Sequence, residues 1–198
     1  MECSKSVPTP VIEKIKLSKD ETGKSMDITA YKSLIGSLRY LVATRPDISF
    51  GVGVLSRFME KPKDSHWAAA KRILRYVKGT INDGILYSTN KTVGLIGYTD
   101  SDWAGDVETR KSTSGYAFHL GSAIFSWSSK KQPVVALSTT EAEYIAATNC
   151  AMQAIWLRKI LDFLQHKQDG PTTIFCDNKS TIALSKNPVF HGRCKHID

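Results

Sequence analysis

The spacing of apolar residues divides the chain into a stretch with helical period and a stretch in which that period breaks. Over 31–43, Leu34, Leu38 and Leu41 recur at helical spacing with Ile35 and Val42 beside them, and Arg45-Pro46 supplies a stop. Ile48, Val52, Leu55 and Met59 continue the pattern in a second helix, with Asp47 as its expected N-cap and Pro62 as its limit. A third helix is predicted over 65–78, where Trp67, Ala70, Leu74 and Val77 line one side and Lys71, Arg72, Arg75 and Lys78 lie elsewhere. Residues 1–28 show little periodicity, scattered charge, and Pro8 and Pro10, so a flexible or irregular lead-in with little order is expected.

Beyond Gly79 the period shifts toward two. Ile85-Leu86-Tyr87 is a short strand candidate, and strands are predicted over 93–99, 114–120 and 123–128, the last two joined by a turn at Gly121-Ser122. The main strands can form an antiparallel meander. A long helix comes next over 139–165, then a buried-type strand over 172–176, then a short helix from Asn178 that Pro188 limits. The expected organisation is a lead-in (1–28), a helical block (29–80) and an α/β domain (81–198) of order β-β-β-α-β-α, in which the last strand neighbours the first.

Charge sharpens this division. The formal net charge is +8, and residues 1–80 hold 15 Lys and Arg against 8 Asp and Glu, whereas the remainder is nearly balanced. A cationic first part suits a polyanionic partner. The four cysteines, Cys3, Cys150, Cys176 and Cys194, show neither a CxxC pair nor a His-x-x-x-His partner, so no zinc site or disulfide framework is expected and a reducing compartment fits. No apolar run reaches the roughly 20 residues of a membrane span, and the N-terminus has no signal-peptide pattern. The expectation is an intracellular protein, not secreted and with no membrane partner.

Candidate chemistry lies in three acids. The predicted strands ending at Asp100 and Asp177 each deliver a carboxylate where a buried run meets the surface, a frequent site position in open α/β sheets. Either alone serves equally well as a cap for the next turn or helix; two in one small domain can be brought together by strand pairing. Projected on the long helix, Glu143 shares a face with Ala147, Cys150, Ala154, Leu157 and Leu161, where an unpaired carboxylate is expensive. Glu141 fits a capping box with Ser138, although Thr140 and Glu143 have the same spacing and the roles can be exchanged; Glu143 is favoured as the functional acid. Three such acids would repel one another without a cation, and oxygen ligands suit magnesium or manganese. That is the chemistry of two-metal phosphodiester hydrolysis, in which one ion activates water and the other stabilises the leaving oxygen. His119 is expected to be a structural or solvent-facing strand residue, and His66 to begin a helix.

At these residues the sequence resembles a known family. Gly97-Tyr98-Thr99-Asp100-Ser101-Asp102-Trp103, Lys111-Ser112-Thr113-Ser114-Gly115-Tyr116, Trp127-Ser128-Ser129-Lys130-Lys131-Gln132, Ser138-Thr139-Thr140-Glu141-Ala142-Glu143-Tyr144 and Cys176-Asp177-Asn178-Lys179-Ser180 resemble, in order and spacing, the ribonuclease H region of copia-type retrotransposon Pol polyproteins. The stretch from Tyr31 to Leu41, with Arg45-Pro46-Asp47-Ile48, is similar to the segment joining the reverse transcriptase to that nuclease. The resemblance implies a ribonuclease H-like mixed sheet of three antiparallel strands and one parallel strand with flanking helices. It also implies cleavage of the RNA strand of RNA–DNA hybrids in reverse transcription. Four acids would hold magnesium, three of them mapping to Asp100, Glu143 and Asp177. The remainder of the Pol polyprotein would be a further partner, and basic side chains of the helical block could hold hybrid phosphates. In the family the chain continues past Lys195-His196-Ile197-Asp198 with the fourth acid, so the domain is expected to be truncated at its C-terminus; Asp198 is a candidate substitute, with a structural role at a helix start favoured for it. Two alternatives stand beside this: a catalytically incomplete remnant that at most binds nucleic acid, and an integrase on a related fold, which the motifs from Tyr98 to Asp102 and from Ser138 to Tyr144 disfavour.

Overall fold

The computed structural model describes residues 3–13, 16–19, 22–88 and 94–187. The expectations for Val93, Pro188, Cys194 and Asp198 lie outside them. The chain divides into two compact units, Met1–Gly84 and Ile85–Asp198.

In the first unit, α1 (Ile28–Leu41), α2 (Ser49–Leu55) and α3 (Asp64–Gly79) enclose a core of Tyr31, Ile35, Leu38, Ile48, Val52, Leu55, Ala70 and Ile73. α1 begins three residues before the predicted start because Asp27 caps it, accepting hydrogen bonds from the backbone N–H of Thr29 and Ala30 at 2.7 and 3.0 Å. Asp47 is not the N-cap expected for the second helix. Pro46–Ile48 forms a 3-10 turn, and the Asp47 carboxylate pairs with the Arg45 guanidinium at 2.7 Å. His66 is fully buried in the first turn of α3, stacked on Phe58; its Nδ1 accepts from Lys63 N–H at 3.0 Å and its Nε2 lies 3.1 Å from the Ser18 carbonyl. Before Ile28 the described part of the lead-in has no helix or strand beyond a bridge from Ser25 to Lys63, yet it is tethered along α3. Arg75 and Lys78 donate to the carbonyls of Lys5 and Ser4 at 2.7 and 3.0 Å, and Arg72 donates to the Thr9 hydroxyl at 2.8 Å.

The second unit is an α/β layer. β1 (Leu95–Ser101), β2 (Thr113–Leu120) and β3 (Ala123–Lys131) form an antiparallel meander, and β4 (Thr173–Phe175) adds parallel to β1, giving the order β3-β2-β1-β4. This mixed sheet with flanking helices is compatible with the expected architecture. Ile85-Leu86-Tyr87 is not a strand, although the Tyr87 hydroxyl donates to the Ile124 carbonyl at 2.8 Å. The 25-residue α4 (Thr139–Phe163) packs its stripe of Cys150, Ala154, Leu157 and Leu161 on Leu95 and Phe118, while α5 (Lys179–Lys186) comes after β4. Ala146, rather than the predicted Ala147, lies on the buried face of α4. The small residues along this stripe let the helix approach the sheet closely. On the opposite face, Tyr98 stacks on Phe175 with ring centroids 5.2 Å apart, both substantially exposed.

β1 can be gripped between β2 and β4 only because position 97 has no side chain. A Cβ there would stand 2.8 Å from Cε1 of Phe118, whose ring is fully buried, and 3.3 Å from Ile174. Replacing Gly97 by Ala should therefore destabilise the protein by about 1–3 kcal/mol through overpacking, read as a lower urea midpoint. An unchanged midpoint would show that the Phe118 ring yields.

Candidate metal centre

Sheet register and two helix starts bring the acids together. Asp100 lies near the end of β1, opposite Gly115 of β2. The parallel ladder ends at the pair Tyr98–Phe175, and Asp100 and Asp177 each come two residues after it in their own segments. Ser138 caps α4 by accepting from Glu141 N–H at 3.1 Å, which sets Glu143 in the first turns, facing the sheet. Asn178 caps α5, and Thr181 of that helix donates to the Thr140 carbonyl at 2.9 Å, clipping the segment after β4 to the start of α4. A further brace is the buried Gln132, whose Nε2 donates to the Ser114 hydroxyl at 2.8 Å and the Ala142 carbonyl at 2.9 Å and lies 3.3 Å from the Ser101 hydroxyl.

Glu143 is only 6% exposed. Its Oε1 accepts from Ser101 N–H at 3.2 Å, while its buried Oε2 has no hydrogen-bond partner. Asp100 bears on this carboxyl through its charge, and two carboxylates bond each other only through a shared proton. Burial, joined by the charges of Asp100 and Asp177 and opposed by the Ser101 N–H, pushes the Glu143 carboxyl up to about 7. Ligand-capable atoms of Glu143, Cys176 and Asp177 all lie within 4.8 Å of one another; Asp100 is not of that trio, though its charge is felt by both Glu143 and Cys176. The Cys176 thiol is likewise pushed up, first by burial and then by Glu143, Asp177 and Asp100, against a backbone hydrogen bond at Asn178.

The orphaned Glu143 oxygen and the mutual repulsion of the acids are what a cation would relieve, and the oxygen-rich donor set fits magnesium or manganese. Of the three predicted acids, Glu143 and Asp177 thus lie together in that cluster, while Asp100 is tied to it by charge. Glu141 is a structural acid: its Oε2 accepts from Leu137 N–H at 2.8 Å beside the helix start. Asp102 turns away into the loop after β1, where its Oδ1 accepts from Thr113 N–H at 2.7 Å. Asp106 closes the same loop on Lys131 at 3.2 Å; burial would raise its carboxyl, but the Thr109 N–H and Lys131 hold it well below the usual range. His119 meets only an aromatic neighbour among the described contacts, edge-on to Tyr98 at 5.4 Å. Two residues beside the acids carry little sign of their place in the sequence. Cys176 is visible only as the neighbour of Asp177 at a strand end, and Gln132 gives no periodic signal.

The chain is 47% identical over 207 residues to a retrovirus-related Pol polyprotein from a transposon of Nicotiana tabacum, a match covering 100% of this chain and 15% of that protein. A transposon Pol polyprotein of Arabidopsis thaliana is 46% identical over 194 residues, 98% of this chain and 13% of its own length. A shorter relative, named a secreted RxLR effector protein of Plasmopara viticola, is 51% identical over 128 residues, 64% of this chain and 90% of that protein. No family model and no solved structure matches. Among the described residues no helix is long and apolar enough to cross a membrane. With nearly its whole length aligned to transposon-encoded polyproteins, whose length it spans only in small part, the chain belongs to the retrovirus-related Pol polyproteins of transposons, the copia-type group its motifs resemble.

Proposed function

We propose that the second unit is a ribonuclease H-type domain that hydrolyses the RNA strand of RNA–DNA hybrids during reverse transcription, with Asp100, Glu143 and Asp177 holding magnesium or manganese. The observation that carries this reading is the buried Glu143 carboxyl with one oxygen lacking a donor, flanked by acids from the ends of two adjacent strands. The bound ions would lower the pKa of an attacking water and offset charge on the leaving oxygen. The chain's own residues orient those ligands. Ser101 N–H fixes one oxygen of Glu143, leaving the other free to bind, and Thr181 and Gln132 hold the loop and strand ends against α4. Discrimination of RNA from DNA would rest on 2′-hydroxyl contacts across the minor groove. Arg72, Arg75 and Lys78 already bind the lead-in, so phosphate contacts from the first unit would draw on its other cations or share these. The free thiols of Cys3, Cys150 and Cys176 suit a reducing, intracellular setting.

A second reading is a catalytically incomplete remnant that binds nucleic acid without cutting it. It draws support from the short Plasmopara viticola relative, 90% of which this chain covers, so the sequence also occurs in a protein far smaller than a polyprotein.

Cleavage of an end-labelled RNA–DNA hybrid by the purified chain in magnesium separates the two. The nuclease reading expects cutting that falls about 100-fold or more in both Asp100→Asn and Glu143→Gln, the scale of losing a group that acts in the transition state. No cutting by the parent chain supports the remnant.

Stability without metal gives an independent test. The folded Glu143 carboxyl titrates at about 7, against 4.5 for an ordinary Glu, so between those values the folded chain retains a proton that the unfolded chain has released. Stability of the metal-free protein should then fall as pH rises through this window, and Glu143→Gln should abolish that fall. The variant is expected to melt above its parent near pH ~8 and together with it near pH ~4, and magnesium should raise the melting temperature of the parent more than that of the variant. Parallel melting profiles at all pH values would contradict the assigned environment of Glu143.

A further inference from the structure

Cys176 has no part in the proposed hydrolysis, yet its sulfur belongs to the trio of ligand-capable atoms that Glu143 and Asp177 complete within 4.8 Å. A second observation, independent of the thiol, points to a ligand there. Glu143 is more than nine-tenths buried, and the oxygen it leaves without a donor belongs to the carboxyl that faces this cluster. Cys150, the other cysteine of the sheet core, is fully buried with its sulfur 3.8 Å from the Tyr98 carbonyl, and it is not of the trio.

The geometry points to Glu143, Cys176 and Asp177 as a three-ligand site for a thiophilic divalent cation of the zinc or cadmium class. Magnesium and manganese favour oxygen ligands, whereas a thiolate selects softer ions, so one sulfur among two carboxylates shifts preference toward them. Metal–sulfur and metal–oxygen bonds of about 2.3 and 2.1 Å at tetrahedral angles put neighbouring ligand atoms about 3.5 Å apart. Atoms within 4.8 Å need therefore draw inward by little more than about 1 Å, in the direction opposite to their repulsion. As the sulfur–metal bond forms, the thiol proton passes to solvent; nothing is oxidised or reduced. Three protein ligands leave a fourth position for water or another oxygen. The inference rests on the nuclease reading in one respect only: the soft ion would occupy the pocket proposed for magnesium and so would inhibit hybrid cleavage.

The test is a cadmium titration of the reduced, metal-free protein carrying Cys3→Ser and Cys194→Ser, tracking the ultraviolet charge-transfer absorption of a cadmium–thiolate bond. A band that saturates at one equivalent is expected, together with its loss in Cys176→Ser. Glu143→Gln and Asp177→Asn should each weaken cadmium binding about 10-fold or more, no less than the loss of an outer-shell partner costs a metal site. A band that survives Cys176→Ser overturns the site, and equal affinity in Glu143→Gln reduces Cys176 to a solitary thiol and overturns it too. Circular dichroism checks folding, and if Cys176→Ser fails to fold, the two carboxylate variants decide. Magnesium-dependent cleavage measured in parallel keeps the readings apart. A chain that cuts hybrid but gives no band refutes this site alone, and one that gives the band without cutting refutes the nuclease alone.

Discussion

One carboxyl group held out of water at the end of β1 constrains the structure around it. Glu143 sits on the buried face of α4, its first oxygen tied to Ser101 N–H and its second left without a donor beside Asp100. An isolated buried carboxylate is strongly disfavoured, and the adjacent acids make it more so. The group must either keep a proton or meet a cation. The surrounding architecture keeps it from escaping to solvent. α4 is pinned to the sheet by Cys150, Ala154, Leu157 and Leu161, its start is fixed by Ser138, and α5 is clipped across it through Thr181.

The loop after β1 shows how the fold separates structural acids from the cluster. Asp102 and Asp106 lie only two and six residues beyond Asp100, yet both are consumed by backbone N–H groups of their own loop, and Asp106 also holds Lys131. Ala104 and Arg110 adopt left-handed backbone within this loop, and Trp103 donates from its indole to the Ala136 carbonyl at 3.2 Å. The loop is thus anchored to the segment that leads into α4. The sheet end and the helix start are thereby fixed on both flanks of the acid cluster, by the loop on one side and by α5 on the other.

Period and position are what single out the three acids in the sequence. Asp100 and Asp177 end apolar runs, and Glu143 falls on the apolar face of a long helix. Features that depend on a partner remote in sequence were not legible. Ile85-Leu86-Tyr87 reads locally as a strand but pairs with no strand among the described residues; its contact with the sheet is the Tyr87 hydroxyl on the Ile124 carbonyl of β3. β3 runs on past Ser128 through a polar stretch because Ser129, Lys130 and Lys131 pair with Gly115, Ser114 and Thr113. Asp47 had the right place for a cap, but Arg45 two residues away offers a charged partner. Gln132 comes just after that strand at a position no period marks, and its role is visible only once β2 and α4 meet around it. That β4 lies beside β1 could be read from the alternation of element types, although β4 itself is only three residues long; its parallel direction was implied by the family resemblance.

Under the proposed function, folding gathers Asp100, Glu143 and Asp177 into one cation site. Crystals grown with manganese, with diffraction recorded at an energy where manganese scatters anomalously, test it most directly. An anomalous peak is expected within coordinating distance of all three carboxylates, with the second oxygen of Glu143 turned onto it. A map with no peak there, or with manganese bound elsewhere while Glu143 stays buried and unligated, would contradict it.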